Sequence, residues 1–225
     1  MPDFSLSRLL RKLIVHLKTA VLRWQYRRRP YSEYFTAVMQ VRTAYDPKFA
    51  VGGRWDEIGR LQFDFLRSHG LQPSHRLLDF GCGSLRGGLH FIEYLDEGGY
   101  SGVDISAQAL EAGRAFLHER GLEGKRPTLR LTHDLSFDDY DGRTFDYIIA
   151  QSVLTHMPLE DIETLFANVH KLMHAGSAFF ATYFDGGNRT YTTQNRLNFY
   201  FPFETLREAG AQRGLAITRA EGYRH

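Results

Sequence analysis

The stretch from residue 76 to residue 104, RLLDFGCGSLRGGLHFIEYLDEGGYSGVD, constrains this chain more than any other. It begins with a short apolar run, Leu77, Leu78 and Phe80, closed by Gly81-Cys82-Gly83. A brief apolar run that ends on glycine marks a buried strand. Leu85, Leu89, Ile92 and Leu95 then recur at helical spacing, and a second run from Tyr100 to Val103 stops on Asp104. Strand, glycine turn, helix, strand and acid make a βαβ unit. A βαβ unit commits the chain to a parallel sheet covered by helices.

The residue types in this unit narrow its ligand. Gly81 and Gly83 lack a Cβ, so the backbone can turn tightly and come close to a bound molecule. The next helix points free N–H groups the same way. Asp104, at a strand's carboxyl end, lies where an acid bonds the hydroxyls of a ribose. The dinucleotide fingerprint G-x-G-x-x-G fails, because Arg86 stands where the third glycine belongs, and no G-K-[ST] phosphate loop is present. Asp79 faces the turn instead. An acid there suits an ammonium group better than a phosphate, and the amino-acid end of S-adenosylmethionine carries one.

The rest of the chain continues the alternation. Ser106 opens a helix over residues 107–120 that Gly121 ends. Residues 128–132 alternate as a strand that leads to His133-Asp134-Leu135. Residues 145–150 form a nearly continuous apolar strand, as expected for one covered on both faces. It opens into Gln151-Ser152-Val153-Leu154-Thr155-His156, and ligands in such sheets bind outside the carboxyl ends of the strands. His156 is the candidate base there, since imidazole titrates near neutral pH. A helix over 159–174, a strand over 177–184, a helix over 203–213 and a strand over 215–219 complete the alternation. The stretch DGGNRTYTTQNRLNFYFPF, residues 185–203, reads as a lid or substrate loop carrying Tyr191 and Tyr200.

LLDFGCG, GVDIS and FDYIIAQSVLTHM, in that order and spacing, resemble the successive motifs of class I S-adenosylmethionine-dependent methyltransferases. The resemblance runs from about Trp55 to the end of the chain. It implies an α/β, doubly wound, mostly parallel sheet with helices on both faces. It implies S-adenosylmethionine as cofactor and S-adenosylhomocysteine as product. Carried onto this sequence, Asp79, Gly81, Cys82 and Gly83 would seat the methionine end. Asp104 and Ile105 would hold the ribose, Asp134 and Leu135 the adenine, and Gln151 and Ser152 would also touch the cofactor. Tyr45, Trp55, Tyr183, Tyr191 and Tyr200 would line the acceptor pocket. The family's sheet has seven strands and six are read here, so the last strand is missing and the oligomeric state stays open.

Three segments are expected: residues 1–30 as a basic amphipathic helix, 31–75 as a helical cap, and 76–225 as the cofactor-binding domain. Residues 1–30 hold eight Lys or Arg against Asp3 alone, although the net charge of the chain is only +2. Over residues 5–29, with Ser5 or Ser7 as cap, Leu6, Leu10, Leu13, Leu17, Ala20 and Trp24 fall on one helical face. Such a face lies on an anionic membrane surface, or packs on the catalytic domain or on a second copy, with a nucleic-acid contact of the basic face as the remaining alternative.

One cysteine, Cys82, excludes an internal disulfide and a cysteine-based zinc site, and fits a cytoplasmic location. No metal site is read. No Asn/Asp-Pro-Pro-aromatic tetrapeptide follows the fourth strand and the domain has no net basic charge, which argues against nucleic acid. The expected acceptor is a small metabolite, a sugar or a lipid-linked intermediate, methylated at oxygen. A nucleotide-dependent oxidoreductase and a non-catalytic cofactor-binding or membrane-docking module are the rival readings, and Arg86 speaks against the first.

Overall fold

The computed structural model describes residues 6–223, with the side chains of residues 13–223. Ser5 and Ser7 as caps, and the side chains of Leu6 and Leu10, lie outside that description. Four helices come first: α1 (Leu6–Gln25), α2 (Tyr31–Tyr45), α3 (Pro47–Ala50) and α4 (Trp55–Ser68). The α/β alternation follows as β1 (Leu77–Phe80), α5 (Gly88–Tyr94), β2 (Tyr100–Asp104), α6 (Ala107–Glu119), β3 (Thr128–Leu131), β4 (Phe145–Ala150), α7 (Leu159–Asn168) and β5 (Met173–Ala181). Three short strands, β6 (Phe184–Asp185), β7 (Tyr191–Thr192) and β8 (Phe199–Phe201), and α8 (Phe203–Ala211) end the order.

The main sheet has five strands in the order β3-β2-β1-β4-β5, all parallel. Alternation along the central strands sends side chains to two faces. Leu78, Phe80, Ile148 and Ala150 pack with α7 and α8, whereas Leu77 and Ile149 pack with α4, α5 and α6. Both faces are covered, which is why β1 and β4 are apolar almost throughout. The chain winds outward from β1 to β3 and then crosses back to place β4 beside β1. The switch point therefore lies at the carboxyl ends of β1 and β4, where such sheets open a crevice.

Several expected elements are different. Within the segment expected as a helical cap, residues 30–53 read only as aromatic and polar with turns at Asp46-Pro47 and Gly52-Gly53, and most of them form α2 and α3. Asp46 caps α3 by accepting from the Lys48 and Phe49 amides, with Pro47 in the first turn. The helix expected to run to residue 174 stops at Asn168, passes through a tighter turn at Val169–Leu172 and gives way to β5 at Met173. A shift of register between Phe145 and Tyr147 lets the longer β5 match β4.

The strand expected over 215–219 is not formed. Leu215 and Ile217 instead turn onto the α7–α8 core. Gly210 of α8 makes this close approach feasible, since a Cβ there would meet Ile217 at 2.4 Å. The alternating pattern is satisfied by packing on a helix rather than by a ladder, and β5 is left at the edge of the sheet. The excursion after β5 forms a second small sheet, in which β8 pairs parallel with β6 and antiparallel with β7.

α1 docks through Val15 and Leu22, the latter against Tyr34, Val38 and Leu197. Its other face is open: Leu13, Leu17, Val21 and Trp24 are 54%, 58%, 54% and 66% exposed. Packing of the expected leucine face on the catalytic domain is therefore not what Leu13 and Leu17 do. Ala20 lies instead at the rim of the cavity described next. Among the described residues no helix is long and apolar enough to cross a membrane.

Candidate active site

A cavity of about 620 Å³ opens at the switch point, between the carboxyl ends of β1, β2 and β4 on one side and α1–α3 on the other. That volume lies in the range of small-molecule sites, roughly 300–1,000 Å³. One end is lined by Asp79, Gly81, Cys82, Gly83, Asp104, Gln151 and Ser152. The other end is lined by side chains of α1 and α2, by His156, and by Asn195 and Leu197 of the excursion.

The glycine turn is shaped by its neighbours. Gly81 and Gly83 have φ of +77° and +55°, a region that favours glycine. A Cβ on Gly81 would meet Val153 at 2.4 Å, and one on Gly83 would meet Val51 at 2.6 Å. Leu85 also sits at positive φ although it is not glycine, and its side chain is fully buried. Burial holds that strained backbone in place.

Two acids face the turn. Asp79 is 4% exposed and accepts a hydrogen bond from the Tyr100 hydroxyl at 2.8 Å. Burial pushes its pKa up to about 7; the neighbouring Asp104 adds to this, while the Tyr100 hydrogen bond and Arg86 oppose it. Asp104 accepts from the Gly83 amide through Oδ2 and from the Ser106 amide through Oδ1, each at 2.8 Å. Burial raises its pKa as well, against those backbone hydrogen bonds. Each oxygen keeps a lone pair, so the carboxylate is oriented but not used up. Two acids at one rim and glycine amides between them suit a ligand with an ammonium group and vicinal hydroxyls.

At the end of β4, Ser152 adopts φ +57° and its amide donates to Thr182 Oγ1 at 2.7 Å. Gln151 donates to Ser152 Oγ at 3.1 Å and accepts from the Tyr223 hydroxyl at 2.6 Å. Tyr223 comes from the segment after α8, and nothing in the sequence pointed to it. Cys82 is buried and its thiol is pushed well up, chiefly by desolvation, which fits a filler rather than a nucleophile.

His156 stacks on Phe35 with centroids 5.3 Å apart, and its Nδ1 meets the Leu197 carbonyl. A carbonyl oxygen only accepts, so Nδ1 carries the proton and Nε2 is the basic nitrogen. Burial lowers its pKa, the Leu197 contact resists this, and the Arg42 cation adds to the lowering. The segment around Leu197 is held at two more carbonyls. Arg23 Nη1 donates to Gln194 O and the Tyr34 hydroxyl donates to Asn195 O, both at 2.8 Å. Side chains from α1, α2 and the loop after β4 thus strap residues 194–197 over the cavity.

Other expected site residues lie elsewhere. Asp134 is exposed and accepts from the Ser136 amide at 2.8 Å and from its hydroxyl, a local turn that holds its pKa down. None of Ile105, Asp134 and Leu135 lines the cavity. Trp55 packs edge-on against Phe116, and Tyr45 against Phe49. Tyr191 and Tyr200 stack on each other across the small sheet at 4.5 Å. Tyr183 faces the edge of β5 instead. These five rings are spent on packing outside the cavity. The end of the cavity away from the glycine turn is lined by Tyr34, Phe35, Met39 and Arg42 of α2, none of which the sequence reading named as a site residue. Their three- and four-residue spacing was the signal available.

Residues 78–179 match the family model described as "Methyltransferase domain". A ubiquinone biosynthesis O-methyltransferase from Azoarcus sp. (strain BH72) is 30% identical over 127 residues, 56% of this chain and 52% of that protein. An uncharacterized protein of Rickettsia prowazekii, RP028, is 26% identical over 137 residues, 58% of this chain and 54% of its own length. The chain spans about half the length of these curated relatives. Magnesium protoporphyrin IX methyltransferase from Synechocystis PCC 6803, solved with bound SAH, superposes with a TM-score of 0.63 at 16% identity, over 87% of this chain and 95% of that one. Phosphoethanolamine N-methyltransferase 2 from Haemonchus contortus, solved with S-adenosyl-L-methionine, gives 0.63 at 17% identity, over 82% of this chain and 44% of that one.

Proposed function

We propose that the chain is a class I S-adenosylmethionine-dependent methyltransferase, on the methyltransferase-domain match over residues 78–179, and that it transfers a methyl group to an oxygen of a small or lipid-like acceptor. The observation that carries this is the pair of acids at the glycine turn, Asp79 and Asp104, on one rim of a cavity whose other end holds His156. Asp79, with Gly81, Cys82 and Gly83, seats the ammonium end of the cofactor. Asp104, oriented by two amides, takes the ribose hydroxyls. Gln151 and Ser152 border the same space. Asp134 and Leu135 would serve the adenine only if that turn moves toward the cavity.

When bound, S-adenosylmethionine supplies a methyl group already activated on a sulfonium. The chain's own residues then have three tasks: to place the acceptor oxygen in line, to exclude water and to receive a proton. His156 Nε2 is the receiving atom, because Nδ1 is tied to Leu197. The strap at residues 194–197 and the rings of Tyr34 and Phe35 wall one end of the cavity, which limits the access of water there. An O-methyltransferase among the relatives agrees with an oxygen acceptor.

α1 supports association with an anionic membrane surface. Its open stripe carries Trp24 and three large aliphatic side chains, its sequence holds no acid, and Arg27-Arg28-Arg29 follow it. A second copy of the chain is the other cover for that stripe. The single cysteine agrees with a cytoplasmic setting.

Calorimetric titration of the full chain tests the core of this reading, with S-adenosylhomocysteine and S-adenosylmethionine as ligands and NAD and NADP as controls. Saturable binding of the first two alone is expected. Binding of the nicotinamide cofactors, or of none of the four, would overturn it.

A further inference from the structure

The two ends of the cavity differ in charge. Its lining acids, Asp79 and Asp104, both sit at the glycine turn. The α2 end has no acid among its described lining residues, but it does have Arg42. Phe35, Met39 and Arg42 are four and three residues apart and share the cavity face of α2.

Arg42 is half-buried, and burial lowers its pKa. Among the described residues no carboxylate, carbonyl or hydroxyl is hydrogen-bonded or ion-paired to its guanidinium. Every other cavity-lining arginine has a partner: Arg23 donates to Gln194 O, and Arg86 donates to Val51 O and Gly53 O. A guanidinium carries five donors in a fixed fork, and this half-buried one faces the cavity with no protein acceptor among the described residues, so its donors are open to an acceptor from outside.

We propose that Arg42 is the anchor for an anionic group, a carboxylate or phosphate, on the methyl acceptor. This rests on the reading of the cavity as a methyltransferase site and names the acceptor's class: an apolar or aromatic body with an anion near the hydroxyl that is methylated. The planar fork matches either anion bidentately. Phe35 and Tyr34 offer rings to the body. His156 stacks on Phe35 and feels the Arg42 cation, so anion and base lie at the same end. An anion on Arg42 also offsets that cation's depressing effect on His156, which strengthens the base once an acceptor is in place.

The test is a titration of the full chain, saturated with S-adenosylhomocysteine, by benzoate, phenyl phosphate and neutral phenol. Wild type should bind at least one anion roughly tenfold or more tighter than phenol, the scale of a charge-assisted pair. Arg42→Met should bring that anion to the level of phenol, and Arg42→Lys should retain part of the preference. Dihexanoyl phosphatidic acid, as a further arm, separates a lipid head group from a soluble anion as the source; preferential binding of either supports the assignment. Equal binding of phenol and all anions to wild type, or an unchanged preference in Arg42→Met, would overturn it. S-adenosylhomocysteine affinity on the same samples controls for folding. If wild type fails to bind that nucleoside, the methyltransferase reading falls, and the anion titration without it still decides the role of Arg42.

Discussion

Tyr100 and Asp79 meet across β2 and β1, the hydroxyl donating to the carboxyl at 2.8 Å beneath the glycine turn. The acid is thereby aimed at the cavity but kept from water, and its pKa rises from 3.8 to about 7. An acid whose pKa is raised in the folded protein binds more protons folded than unfolded between those two values. Stability from this group is therefore present in full below about pH 4 and is lost as pH climbs through 7.

Asp79→Asn should accordingly raise the melting temperature at pH 8 and leave it nearly unchanged at pH 4, since Asn can still accept from Tyr100. The same substitution should weaken S-adenosylhomocysteine binding at least ~30-fold, because the ammonium loses its counter-charge. Wild-type binding at pH 7 should release about half a proton, as ionisation of Asp79 is pulled to completion. Calorimetry in buffers of different ionisation enthalpy measures that release. Binding with no proton release would contradict the assignment.

Asp104→Ala removes the acceptor of two backbone amides as well as a ligand contact. Unfolding in urea should show a loss of about 1–3 kcal/mol, the cost of leaving buried donors unmet. Cofactor affinity should drop about 100-fold beyond what that destabilisation explains. A variant of full stability would show that the amides find other partners.

His156→Asn keeps a donor for the Leu197 carbonyl but has no basic nitrogen. Turnover should fall by about 10²–10⁴-fold with cofactor affinity unchanged. Because burial lowers the pKa of His156, the wild-type rate should be flat from pH 7 to 8 and decline only below the ordinary value of 6.5. A pH profile that still climbs above 7 would point to a different base.

Leu17→Glu with Trp24→Ala changes two side chains that are largely open to solvent. The pair should leave the melting temperature within about 2 °C while sharply reducing co-sedimentation with phosphatidylglycerol vesicles. Unchanged vesicle binding, or a dimer that the pair splits, would move the stripe to a contact between copies.

The glycine-turn end of the cavity was legible because each residue there answers to a local rule. Gly81 and Gly83 are dictated by positive φ, and Asp104 by its place at a strand end. The α2 end was not, for a physical reason. Tyr191, Tyr200 and Trp55 are as aromatic as Phe35 and Tyr34, and sequence does not say which rings will satisfy one another. The stacked Tyr191–Tyr200 pair consumes two of the expected pocket rings. Leu215 and Ile217 alternate like a strand, but the glycine on α8 offers them a better surface. Tyr223 reaches Gln151 across 72 positions of sequence, a pairing no local pattern encodes.

α1 is one helix, about 10 Å across with its side chains, and it serves as a partition. Val15, His16, Thr19 and Arg23 furnish the inner wall of a reaction chamber, and Leu13, Leu17, Val21 and Trp24 furnish its outer skin. The two surfaces are interleaved in a single stretch of sequence, so neither can drift alone. Inserting one residue after Thr19 would turn the earlier part of the helix, with Val15, His16 and Leu17, by about 100° relative to residues 20–24. Deleting one would turn it the other way. A change of length inside this stretch would therefore disturb the chamber and the outer skin together, whereas a single exchange alters only the surface that residue faces.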